Sequence, residues 1–168
     1  MRPGDVALER GHTLVGFLIR LGTRSRVNHA KLVVSEDGRC LSANADGADY
    51  EYVKPSDIIV SAPLTDDQRA MIPAIADHLA GTPYGYLDCA ALGLAQLGIT
   101  LPSVKRRLAR PDRLFCSQLV DYAWQLVGFH AFNDLRPPQD VSPGDLADLA
   151  FTAGWSLVQR PSGWRVHQ

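Results

Sequence analysis

Two residues carry the chemistry that this sequence can suggest, Cys116 in "RLFCSQLVDYAWQLVG" and His29 in "NHAKLVVSEDG". A thiol in the first turn of a helix feels the positive end of the helix dipole and meets backbone N–H groups with no helical partner. Both favour thiolate, the nucleophilic form. The same N–H groups could hold an oxyanion. The chemistry would be attack on an acyl carbon, and it needs a base nearby.

The sequence offers five histidines. His12 falls in a loop or cap, His78 follows Asp77 in a helical stretch, and His167 lies next to the last residue. His130 follows the cysteine helix closely and is a second candidate base. Only His29 opens a strongly β-like segment, where a sheet edge could hold an imidazole for a helix-borne thiol to approach. Cys116 also has a purely structural reading. With Val120, Ala123 and Val127, and with Leu119 and Leu126 beside them, it forms one apolar helix face, so it could simply begin a core stripe.

The elements that must position these residues follow from pattern. Asp5–Leu8 reads as a first strand, and His12–Thr23 has apolar residues at helical spacing, ended by Gly22. His29–Val34 and Arg39–Asn44 flank the turn signal "SEDG" and form a predicted antiparallel hairpin. A turn centred there pairs His29 with Asn44 or a residue one or two positions away. Odd-sum pairings put His29 on the face of Ser42, Asn44 and Asp46. One of these could orient the imidazole, as the third member of a triad does; the plain alternative is a polar strand end. Strands over Asp49–Val53 and Ile58–Ser61 follow.

Helices come next. Thr65 is the expected N-cap of a helix with acidic residues in its first turn, and Pro73 inside it is a candidate kink. "TPYGYLDCAALGLAQLGI" reads as a turn and a second helix, Leu114–Val127 as a third, and "SPGDLADLAFTAG" as a fourth started by Ser142. "WSLVQR" could be a last strand.

A length of 168 residues with 46% hydrophobic and 21% charged residues suits a single globular domain over residues 1–168 and argues against a disordered chain. A net charge of −1 gives no field for nucleic acid. The basic run "VKRRLARPDR" is short enough to be a solvated surface. The apolar run Cys89–Leu101 is too short to cross a bilayer, so no stable membrane insertion is expected. The N-terminus lacks a signal-peptide pattern. Three cysteines, none in a CxxC pair, fit reduced thiols better than a disulfide framework or a metal site. A cytoplasmic protein without cofactor or metal is the expectation, with Cys40 and Cys89 structural; a phage- or prophage-encoded origin also fits.

The order "PGDVALERG … NHAKLVV … LSANADG … GTPYGY … LFCSQLV … SPGDLADLA" resembles the circularly permuted papain-like hydrolases of the NlpC type, a group that includes the lecithin:retinol acyltransferase-like enzymes. The resemblance covers about 150 residues, Pro3 to Leu149, and rests on the order of the motifs more than on any one of them. It implies an α+β, papain-like fold, with an antiparallel sheet or small barrel against a helical subdomain. It also implies that Cys116 is the nucleophile and His29 the general base.

The family's third polar residue falls on Ser42, where Glu or His is more usual, and Asn44 is the substitute on the same face. Ser42 brings no charge to stabilise imidazolium. Tyr84 falls where the family often has a tyrosine near the site; packing against the helices is its other reading. The expected activity is a cysteine amidase or peptidase working through an acyl-enzyme on a peptide, amide or ester substrate. A lipid-type acyltransferase or phospholipase, and a catalytically silent binding module, are the alternatives.

Overall fold

The computed structural model describes residues 1–10, 27–44, 46–83, 115–134 and 136–161. Strand β1 is Val6–Glu9, β2 His29–Val33, β3 Arg39–Asn44, β4 Gly47–Tyr52 and β5 Ile58–Ser61. Helices α1 (Asp66–Leu79) and α2 (Cys116–Leu126) follow, then a 3-10 turn at Pro138–Asp140, helix α3 (Pro143–Thr152) and strand β6 (Ser156–Gln159). The architecture is α+β. The six described strands pair antiparallel in one sheet of order β4-β3-β2-β1-β5-β6. Of the two sheet forms expected, the described residues form the open one, with β4 and β6 at the edges.

Strand alternation divides the sheet into two unlike faces. Val6, Leu8, Ala30, Leu32, Leu41, Ala43, Ile58 and Val60 point to one side, where they form the main core with Leu119, Val120, Ala123 and Trp124 of α2. On the other side, Ala7, Val33 and Ile59 make a small separate cluster. His29 and Lys31 share the parity of Val33, and Glu9 that of Ala7. The pattern "HAKLV" therefore buries Ala30 and Leu32 under the helices and sends Lys31 to the second face, while His29, at the first residue of the strand, adjoins the start of α2.

The expected hairpin is present. Leu32 pairs with Leu41 and Val33 with Cys40, an odd-sum register. Gly38 closes the turn at φ 89°, a left-handed conformation that suits glycine. Helix α1 starts at the expected cap. Thr65 accepts from the Gln68 backbone N–H, and the Gln68 side chain accepts from the Thr65 N–H. It runs on through Pro73 as one 14-residue helix. Ser142 and Asp145 build the same reciprocal cap on α3.

Helix α2 departs from the expected stripe in one respect. Trp124 is fully buried and Leu126 is 42% exposed. Trp124 Nε1 donates to the Gly4 carbonyl at 3.0 Å, locking the helix onto the start of the chain. The expected helices over 12–23 and in "TPYGYLDCAALGLAQLGI", the basic run, His12, His167, Tyr84 and Cys89 lie outside the described residues. No helix among the described residues is long and apolar enough to cross a membrane.

Candidate active site

Cys116 is the first residue of α2, entered from Phe115 in an extended conformation. Phe115 has no capping side chain of its own; instead its N–H donates to Gln118 Oε1 at 3.4 Å. The next turn is tied down from outside. Ser117 Oγ donates to the Val141 carbonyl at 2.7 Å, joining the helix start to the segment before α3. The sulfur is thus carried by a fixed backbone, and Cys116 is 2% exposed.

His29 is the first residue of β2, at the end of the sheet that the α2 N-terminus meets. Its Nε2 lies 2.8 Å from Ser42 Oγ, and Ser42 is buried. The Cys116 thiol adjoins the same ring, and each of the two groups shifts the other. Three side chains from β2, β3 and α2 therefore form a chain Cys116–His29–Ser42. Asn44 is not part of it. It sits at the exposed end of β3, paired with Gly47 of β4. His130 and His78 are both exposed.

The electrostatics draw the two groups' pKa values toward each other. Burial pushes the Cys116 thiol up, but the adjoining imidazolium and the backbone N–H groups of Ala30 and Ser117 outweigh it, holding the thiol below its ordinary 9.0. Burial pulls His29 down, yet the Cys116 thiolate and, more weakly, Glu9 bring it above its ordinary 6.5, against a smaller opposing effect of Lys31. The two groups titrate as a pair, with thiolate and imidazolium stabilising each other. Cys40 shows the contrast. It is fully buried in mid-strand, its thiol faces the Glu51 carbonyl, and burial pushes it up to about 12.

Glu9 stands beside this site, in a place that local pattern passes over. It pairs with His29 in the β1–β2 register. Alternation alone places it on the face of Ala7, but its partner strand can be known only from the sheet order. Among the described residues, no group of three or more His, Cys, Asp or Glu side chains is placed to hold a metal ion.

No family model matches the chain, and no curated protein matches it. Among solved structures, the chain is similar to the crystal structure of metalloprotein yiiX from Escherichia coli O157:H7, of the group DUF1105. The TM-score is 0.54 and the identity 18%, over 83% of this chain and 77% of that one. At that identity the likeness concerns the fold.

Proposed function

We propose that this protein is a cysteine hydrolase of amidase or peptidase type, with the fold of the permuted papain-like NlpC group. The observation that carries the reading is the contact of the Cys116 thiol with His29, whose Nε2 is bonded to Ser42. In this reading the thiolate attacks the carbonyl carbon of an amide, peptide or ester. The negative charge that develops on the carbonyl oxygen can be met by N–H groups at the α2 N-terminus. His29, holding the proton, gives it to the leaving amine or alkoxide as the C–N or C–O bond breaks. It then takes a proton from water, which attacks the thioester and releases the acid and the thiol. Ser42 keeps the ring in one orientation through both steps.

The structural neighbour is described as a metalloprotein. The donors here do not suit a metal. Cys116 and His29 offer two strong ligands, but the third group in line is a neutral hydroxyl.

The uncharged third residue favours one competing reading, a catalytically silent module that keeps the fold. Profiling the wild-type protein and Cys116→Ala against peptide, isopeptide and ester panels decides between them. Turnover that is lost in Cys116→Ala supports the hydrolase. A Cys116 that iodoacetamide labels no faster than Cys40 near neutral pH overturns it.

A further inference from the structure

On the sheet face away from the main core, a cluster of charges surrounds Lys31. The Lys31 side chain is fully buried, and its Nζ lies 2.8 Å from Glu9 Oε2, 3.1 Å from Asp57 Oδ2 and 3.8 Å from Glu51 Oε2. Lys54 Nζ lies 2.6 Å from the other Glu9 oxygen. Three carboxylates thus face two ammonium groups, and the cluster carries a surplus of one negative charge. Glu9 is held ionised: burial raises it, but Lys31 and Lys54 bring it down to about 2.

Glu9 is also the member of the cluster directly across from His29, in the register Glu9↔His29. Directly opposed side chains on neighbouring strands have Cβ atoms about 5 Å apart. Among the described residues, four groups act on the imidazole: Cys116 from α2, Ser42 from β3, Lys31 from its own strand and Glu9 from β1. Ser42 contributes direction without charge. Lys31 opposes a protonated ring, and its charge is shared among three carboxylates. Glu9, from the position directly opposite on β1, favours the protonated ring that Lys31 disfavours.

We propose that Glu9 is a positioning residue for the Cys116–His29 pair, supplying from β1 the negative charge that the third residue, Ser42, does not carry. The proposal rests on the hydrolase reading above. It divides between two strands what one charged side chain could do alone: Ser42 orients the ring, and Glu9 stabilises its protonated form. The lysines on either side of Glu9 fix its carboxylate and keep it ionised.

The test is the pH profile of iodoacetamide labelling at Cys116, followed by peptide mapping with Cys40 as internal reference. Glu9→Gln is expected to move the Cys116 midpoint up by about half to one pH unit, because imidazolium loses its supporting charge. Lys54→Gln, at a half-exposed site, is expected to move it down by a smaller amount, because Glu9 is then less neutralised. A purely structural role predicts no such opposition. An unmoved midpoint in Glu9→Gln, or movement of both variants in one direction, overturns the proposal. Should Glu9→Gln fail to fold, Lys54→Gln decides alone, and an unmoved or raised midpoint there is fatal. If wild-type Cys116 labels no faster than Cys40, the hydrolase reading itself has failed. If it labels fast but ignores both variants, only the role of Glu9 has.

Discussion

The Ser42 hydroxyl lies 2.8 Å from His29 Nε2, while Asn44, two residues further along the same strand face, is exposed to solvent. The pairs Leu32↔Leu41 and Val33↔Cys40, continued by arithmetic, would set His29 opposite Asn44. The ring instead reaches the residue nearer the turn. Ser42→Ala is therefore expected to slow both turnover and Cys116 labelling by about 3- to 10-fold, the loss of one neutral hydrogen bond of about 1 kcal/mol. Asn44→Ala, at an exposed position, is expected to stay within about twofold of wild type. Equal effects in the two variants, measured by initial rates, would reverse the assignment.

The pH dependence of the thiol follows from the sign of its shift. Cys116 lies below 9.0 because thiolate is favoured by His29 and by two backbone N–H groups. Labelling should thus reach half its plateau below pH 9.0. His29→Ala removes the largest favourable contribution and should carry the midpoint upward, while Cys40 stays slow up to about pH 12. Stopped-flow alkylation across pH, with each cysteine mapped, reads both.

A second carboxylate offers a stability test away from the site. Asp121 is fully buried in α2, Gln125 Nε2 donates to its Oδ2 at 2.9 Å, and its Oδ1 has no partner among the described residues. Burial pushes its pKa up from 3.8 to about 6. Between those values the folded protein binds the extra proton, so stability is fully present below 3.8 and falls as the pH rises through about 6. Asp121→Asn keeps an acceptor for Gln125 and removes the charge. It is expected to add about 2 kcal/mol at pH 7 and nothing at about pH 3.5, read by urea denaturation at both.

Trp124 should be the costliest core position to change. Its indole meets Phe129 and Trp155 edge-on, with ring centroids 5.7 and 5.6 Å away, and its N–H satisfies the buried Gly4 carbonyl. Trp124→Phe leaves that carbonyl unpaired and a gap behind it, for an expected loss of about 2–3 kcal/mol. Chemical denaturation measures it, and a loss no larger than that of a surface change would show the contact to be idle.

Local pattern made much of the scaffold legible. The hairpin around "SEDG", the caps at Thr65 and Ser142, and the apolar face of α2 follow from alternation, capping chemistry and helical spacing, all of which act within a few residues. His29 and Cys116 each have a distinctive local setting, a strand start and a helix start, whereas Ser42 shares its strand face with Asn44 and Asp46 and only the family resemblance singles it out. What pattern could not supply is sheet order. That β1 lies between β2 and β5, so that Glu9 stands beside His29, is a long-range fact with no signal in "VALERG" itself. The burial of Trp124 and the exposure of Leu126 were hidden for a similar reason. Helical spacing gives a stripe, and only the partner surface decides which side of it is covered.

The indole bond from Trp124 to Gly4 joins residues 120 positions apart, on the same helix whose first residue is the thiol. Closing so long a loop comes late when folding is governed by the separation of contacting residues. The low-pKa thiol is therefore a clock for the final docking step. In a refolding experiment, fast alkylation at Cys116 should appear only when the tryptophan reports its native environment. Partly folded chains, with the strands formed and the helix undocked, would carry an ordinary cysteine.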